Sequence, residues 1–410
     1  LESLNVLGTH SDPPRPSCFQ SMADDVPLFL DLYCKGDKFA KNQEQCTILT
    51  KIQCDIERLK AEKTVELADK GGPNALRLYE QAGNDYISIW RRYGEEPIRK
   101  RMAPQCDRLD EVVYNAARAF QAGRMIAKAI QARMILVNPQ NGFDKSPLAK
   151  KAIYEIGGNY QAIAVYDEAA SWYERYAREN PKGENADKAL SDATLLRLGL
   201  GQEEEAIRNA ELFNKQFGNR FPQQSAAIAF GIASHYVEKE DWDRARLRLA
   251  SSISLIERNA TFDVVVQAHA MMGRIQAQLK NDKAAKASYS KVRSLWGDGK
   301  AAEQKIMKIE GEDEGQKLRR LAKALTAVGE ALFYFAEEKR AAAEAIVFPA
   351  YKGPGSKDAV LKHINGPVAD WIKKKQPAIE AAEQEYLKIV ELQPAPPPRW
   401  VIAAGSQVGT

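Results

Sequence analysis

Cysteine is missing from most of this chain: all five residues, Cys18, Cys34, Cys46, Cys54 and Cys106, fall in the first 106 of its 410 residues. That excludes a disulfide framework running through the whole molecule. Two states stay open to them, one or two local bridges that pin an N-terminal cap to the adjoining segment, or buried reduced thiols. If 43–68 is one helix, Cys46 and Cys54 are separated by a rise of about 12 Å, more than the roughly 7 Å between α-carbons that a bridge allows. Each then needs a partner elsewhere, such as Cys34 or Cys106. The spacings match neither a zinc ribbon nor a redox CxxC motif.

Long apolar runs are also lacking. No stretch approaches the roughly 20 residues of a membrane-spanning helix. Charge of one sign is not in excess either: 59 basic against 55 acidic residues leave +4, too little for a whole-molecule polyanion binder. The basic runs at Arg99, Lys100 and Arg101 and at Lys373, Lys374 and Lys375 read as solvated helix ends, so no nucleic-acid partner is expected.

Histidine is scarce, at His10, His235, His269 and His363, and none belongs to an HExxH motif. No GxSxG elbow or GxxxxGK phosphate loop occurs. KGPGSK, from Lys352 to Lys357, lacks the preceding strand of a phosphate loop and reads as a flexible connector. The acidic run Glu310, Glu312, Asp313 and Glu314 lacks EF-hand spacing and reads as a solvated loop. The expectation is a non-enzyme with no catalytic residue, cofactor or metal. A mean hydropathy of −0.45 and 44% hydrophobic residues describe a water-compatible chain that can bury a long core.

What the chain does have is a spacing. Small residues twelve positions apart recur about every forty residues, at Ala117 and Ala129, Gly157 and Ala169, Thr194 and Ala206, Ala233 and Ala245, Gly273 and Ala285, and Gly329 and Ala341. Twelve positions let a helix end, turn and return antiparallel, and a small residue on each arm lets the backbones approach. The fold class predicted is all-α, an α-solenoid of helical hairpins. The cleanest copy runs from Ala152 to Pro181, with Gly157, Tyr160, Ala169, Tyr173 and Pro181 at the intervals of a tetratricopeptide repeat, and the chain resembles that family from near Ala75 to the end. Successive second members lie 40, 37, 39, 40 and 56 residues apart, against about 34 in the family, so extra residues belong to loops or extended helices. In the second copy Arg197 fills the Tyr slot. With weaker copies at Ala82 and Tyr86 and at Ala382 and Tyr386, about seven to eight repeats are expected, some degenerate. The domain reading is 1–70 leader and cysteine-bearing cap, 71–296 solenoid, 297–317 connector, and 318–410 C-terminal repeat-like helices.

In such a solenoid the first helices of successive hairpins line the concave wall. Counting from each small residue, the positions three before and one, four and five after face the groove. They give Tyr114, Arg118 and Gln121; Tyr154 and Gln161; Phe230 and Ser234; Arg274 and Gln278; and Glu330, Phe333 and Tyr334. Aromatic, amide and cationic groups suit a peptide or protein segment. Tyr114 and Tyr154 stand where some family members carry the lysines of a carboxylate clamp, so that clamp is not expected. His235 and His269 fall on first helices of consecutive repeats and read as packed polar residues, or as a shared site in the groove.

NAARAFQAGRMIAKAI from Asn115, HYVEKEDWDRAR from His235 and PPPRWVIAAGS from Pro396 resemble myxobacterial envelope tetratricopeptide proteins of the gliding-motility machinery. The resemblance implies a protein–protein interaction scaffold that is periplasmic or associated with the outer membrane. The other reading is a cytoplasmic regulatory or targeting module that binds a short peptide. The chain begins with Leu and shows no secretion signal. SDPPRPSCFQS from Ser11 reads as a flexible leader, and Arg15, Pro16 and Ser17 are not the residues of a lipoprotein cleavage site before Cys18. Residues 399–410 read as the opening helix of a hairpin truncated there, with Val401 and Ile402 offered for self-association.

Overall fold

The computed structural model describes residues 15–409, together with Ser3 and Leu7. His10 and the first part of the Pro-rich opening lie outside the described residues. The described chain is helical, and no strand occurs among these residues. It divides into two compact units, 1–209 and 210–410, inside the stretch 71–296.

In the first unit α1 (Pro16–Tyr33), α2 (Gln43–Asp69) and α3 (Ala75–Trp90) precede the hairpins α4 (Leu109–Ala122) and α5 (Ile126–Val137), and α6 (Pro147–Ala162) and α7 (Tyr166–Glu179). Then come α8 (Ala186–Gly199) and α9 (Glu203–Phe217), the last of which contains the boundary between the units. Helices next to one another in the chain pack together, α2 on α3, α3 on α4, and α4 on α5. The cysteines join the first of these elements: Cys34 bonds Cys46 and Cys54 bonds Cys106, with α-carbons 5.6 and 6.2 Å apart, and Cys18 is free. Cys46 and Cys54 do lie on one helix, α2, and each takes its partner from a neighbouring segment.

The second unit continues with α10 (Pro222–Glu238), α11 (Trp242–Asn259), α12 (Phe262–Gln278), α13 (Asp282–Trp296), α14 (Gly299–Met307), α15 (Glu314–Glu344), α16 (Ala369–Val390) and α17 (Pro398–Val408). Within 297–317, α14 buries Ala302 and Ile306 in the apolar cluster formed with Leu325, Val328 and Ile389. The acidic run next to it is engaged: Asp313 caps α15 in a reciprocal box with Gln316, and Glu312 holds Arg320.

Five of the six small pairs form hairpins, and the reason is visible in their turns. Ala117, Ala129, Ala169, Thr194, Ala206, Ala233, Ala245 and Ala285 are fully buried. Seven residues after each first member the backbone turns left-handed, at Arg124, Ala164, Gly201, Glu240 and Lys280, with φ between 56° and 74°. One position later an amide donates to the carbonyl five residues back: Met125 to Phe120 at 2.8 Å, Val165 to Tyr160 and Gln202 to Arg197 at 2.9 Å, Asp241 to Tyr236 at 2.9 Å and Asn281 to Gln276 at 2.8 Å. This bond and the left-handed residue end a helix by satisfying carbonyls that would otherwise face no donor. Where the first member is Gly157 or Gly273, a Cβ would lie 2.7 Å from the ring of Tyr173 or Tyr289, which is why no side chain fits there.

The sixth pair does not form a hairpin. Gly329 and Ala341 lie on one continuous 31-residue helix, α15, and Ala341 is exposed. Gly329 is small because α17 crosses it: a Cβ there would meet Pro397 and Trp400 at 2.6 Å. Position seven is Ala336, buried and helical, and Glu330–Arg340 contains no Gly, Asn, Asp or Pro to stop the helix.

Candidate functional site

Much of the polar surface expected to face a groove is spent holding helices together. Arg133 of α5 is 2% exposed, and a guanidinium so buried is tolerated only when its donors are matched. Its Nε donates to Glu155 and its two terminal nitrogens to Asn159 and Gln121, each at 2.8 Å. The Tyr114 hydroxyl donates to the other Glu155 oxygen at 2.8 Å. Tyr114 and Gln121 on α4 are thereby tied through Glu155 and Asn159 to α6. Tyr154 lies between the rings of Tyr173 and Tyr176, with centroids 5.4 and 5.3 Å away, and Tyr173 donates to Gln161 at 2.7 Å.

A second joint centres on Arg197. It donates to both oxygens of Glu174 at 2.8 and 2.9 Å, to Asp167 at 2.5 Å and to Ser171 at 2.9 Å, and Asn209 donates to Glu174 at 2.7 Å. Burial acts to raise the Glu174 carboxyl, but the bonds from Arg197 and Asn209 and the Arg197 charge outweigh it and hold it below its ordinary value. Sequence reasoning treats Arg197 as a degraded Tyr slot and misses this joint. The signal is the series Asp167, Ser171 and Glu174, at spacings of four and three on one face of α7.

In the second unit Arg274 of α12 grips Glu330 of α15 through two bonds, one of 2.8 Å, and Tyr289 of α13 donates to the same buried carboxylate at 2.9 Å. The Tyr334 ring packs tilted against Tyr289, with centroids 4.7 Å apart. Burial raises the Tyr289 phenol strongly, and the Glu330 charge adds to it. Phe333 lies between Tyr386 and Trp400, 5.8 and 5.1 Å away. The Ser234 hydroxyl donates to Phe230 O at 3.0 Å. His269 pairs with Glu257 at 2.9 Å, and His235 lies edge-on to Tyr236. Among the residues named from sequence, Arg118, Gln161, Arg274 and Gln278 are exposed and Phe230 is half-buried.

The cleft that keeps recognition groups available lies in the first unit, where α2, α3 and α4 enclose about 280 Å³. Glu62, Glu66 and Asp69 line it from α2, at helical spacings that place them on one face. Tyr79 and Tyr86 come from α3, and Asn115 and Arg118 from α4. Tyr79 donates to Asp69 at 2.5 Å, a bond that raises its phenol. Burial and the Glu62 charge push Tyr86 up to about 12, so both phenols are neutral at physiological pH, the Tyr79 proton being given to Asp69. Three carboxylates against one guanidinium favour a segment that brings positive charge. Two wider clefts occupy the second unit, one of about 500 Å³ lined by Arg220, Phe221, Gln224, Thr261 and Arg320, the other of about 510 Å³ around Trp296, Leu332 and Lys388. Among the described residues no group of three or more His, Cys, Asp or Glu side chains converges as metal ligands do, and no helix is long and apolar enough to cross a membrane.

No protein-family model matches the chain, and no curated protein matches it. Among solved structures, BtubC from P. vanneervenii is 14% identical, over 58% of this chain and 95% of that one, with a TM-score of 0.32. A tetratricopeptide repeat protein from Parabacteroides merdae is 12% identical, over 75% and 98%, with a TM-score of 0.23. The apo form of RapI is 12% identical, over 95% and 98%, with a TM-score of 0.34. The repeat architecture stands on the hairpins themselves, with five buried small pairs closed by five copies of one turn: the chain is an all-α protein of tetratricopeptide-like helical hairpins.

Proposed function

We propose that this protein is a non-enzymatic protein–protein interaction scaffold that holds an extended, basic segment of a partner in the cleft of α2, α3 and α4. The observation that carries this reading is the lining itself, with Glu62, Glu66 and Asp69 facing Arg118 and Asn115 beside two neutral phenols. Carboxylates select cationic side chains, and amide and phenol groups satisfy the main chain of an extended peptide. The finer placement is a bacterial cell-envelope assembly such as gliding machinery. It is supported by the two disulfides, which suit an oxidising compartment, and by the stretches that resemble envelope repeat proteins.

Affinity capture from envelope and cytoplasmic fractions, with wild-type protein beside Glu62→Lys/Glu66→Lys and Phe230→Ala variants, tests the reading. Envelope proteins retained by wild type and lost with the double charge reversal support it. Retention indifferent to the charge reversal sinks the cleft. A thiol titration of native protein tests the compartment: one free thiol per chain fits the envelope, and five fit the cytoplasmic peptide-binding module.

A further inference from the structure

Between Ala343 and Ala382, both buried, the second unit carries 38 consecutive residues, 344–381, of which none is buried. The segment is nonetheless held in place. Trp371 Nε1 donates to Ile346 O at 3.2 Å, His363 Nε2 to Pro349 O at 2.8 Å and Lys375 Nζ to Ala343 O at 2.7 Å. Phe348 stands edge-on to Trp371 and Tyr351 lies against His363, with centroids 5.2 and 4.9 Å apart. These contacts form an arm that folds on itself and displays what it does not bury.

What it displays is apolar and basic together. Val347 is 79% exposed and Phe348 53%, and Leu361, Ile364 and Ile372 are also exposed. Across the arm, 344–381, six lysines stand against Glu344, Asp358, Asp370 and Glu380, a surplus of two, and the whole chain, with 59 basic and 55 acidic residues, has a surplus of four. Half of the chain's formal surplus therefore lies on these 38 residues, beside large apolar side chains that project from the same segment.

We propose that this arm docks on an anionic lipid surface. The charge is complementary to such a surface, and each lysine near it strengthens binding roughly five-fold. The apolar groups come from an extended loop, a short helix and the start of α16, as separate projections. The interfacial zone of a bilayer accepts such groups to a depth of about 5–10 Å while lysine stems carry their ammonium groups back to the headgroups. Trp371 and Tyr351 have the amphipathic rings that settle at that level. An acidic protein partner would satisfy the lysines but would need a surface shaped to Val347, Phe348 and Ile364. The proposal is independent of the cleft, which lies in the other unit.

The test is co-sedimentation of the full chain with phosphatidylcholine vesicles containing about 30% phosphatidylglycerol, and with phosphatidylcholine alone. Wild type should partition to the anionic vesicles at least ten-fold more strongly than to the neutral ones. Lys373→Glu/Lys374→Glu and, separately, Val347→Asp/Phe348→Asp should each lose at least ten-fold, while Lys182→Glu/Lys188→Glu, the same charge change on an exposed part of the first unit, should change partitioning less than two-fold. Neither arm variant replaces a buried residue, so circular dichroism should be unchanged in both. Equal partitioning to neutral vesicles, no partitioning at all, or equal loss in the control pair overturns the proposal. Retention on immobilised polyglutamate that Val347→Asp/Phe348→Asp leaves intact, without vesicle binding, also overturns it and assigns the arm to an acidic protein.

Discussion

Gly273 and Ala285 stand twelve residues apart, and so do Gly329 and Ala341, yet the first pair closes a hairpin and the second lies along one unbroken helix. The two segments differ in what lies between. After Gly273 the chain reaches Leu279, Lys280 and Asn281, where Lys280 turns left-handed and the Asn281 side chain accepts from Ala284 N at 3.3 Å. After Gly329 it runs through Ala331, Phe335 and Ala336, all buried and all good or acceptable helix formers, with nothing to cap a new start. Small residues permit close approach of two helices without saying which two. At Gly273 the approaching group is the Tyr289 ring of the same hairpin, and at Gly329 it is Trp400 of α17.

The largest way to break this contrast is proline at position seven of the long helix. Ala336→Pro removes an amide donor inside α15 and should cost about 3 kcal/mol or more, read as a lowered midpoint in urea unfolding. It should not create a hairpin, because no cap follows. Gly273→Ala places a methyl against a buried ring and should cost about 1–3 kcal/mol. An unchanged midpoint would show that the Tyr289 ring has room to move.

The sharpest contrast is one of sign. Lys280→Gly and Ala164→Gly relieve a left-handed side-chain-bearing residue and should stabilise by about 1 kcal/mol. Ala336→Gly, at the same register on a helix, should destabilise by about 1 kcal/mol. Melting curves that moved in the same direction for Lys280→Gly and Ala336→Gly would contradict the assignment of the turns.

The smallest effect is electrostatic. Glu312, at the start of the long helix, is held below its ordinary value by the bond from Arg320, and Glu174, in the hairpin region, by Arg197 and Asn209 against burial. A carboxyl lowered in the folded state contributes stability that is present above its unfolded value near 4.5 and is lost as pH falls through the folded value. The melting temperature should therefore fall as pH drops below about 4.5, and Glu174→Gln or Glu312→Gln should each flatten that fall. A curve that stayed steep in both variants would place the titration elsewhere.

These residues also mark how much was legible before the structure. Five hairpins could be read because a small pair, helical periodicity and a turn coincide in each. The sixth could not be separated by spacing alone, since a glycine that admits α17 looks like one that admits a hairpin partner. Cys46 and Cys54 could be kept apart by the rise of a helix, but the choice of Cys34 and Cys106 over Cys18, and of bridges over reduced thiols, is visible only in the packing. The groove was harder. Tyr114, Gln121, Tyr154 and Arg274 have the register expected of a groove, but their partners Glu155, Arg133, Tyr176 and Glu330 lie on other helices, and only the packing reveals that they are engaged. The cleft residues Glu62 and Tyr79 precede the first regular repeat, where the counting rule did not reach.

The bond between Cys54 and Cys106 has a mechanical consequence. When tension pulls on the chain, force passes through the sulfur bridge and bypasses the 52-residue separation it spans, which would otherwise lengthen by up to about 180 Å at about 3.3–3.6 Å per residue. The α2 C-terminal half, all of α3 and the two phenols of the cleft lie inside that loop. Hairpins further along can be peeled open one after another, while this part of the molecule is removed from the load path and cannot be drawn out into an extended thread unless the bridge is reduced.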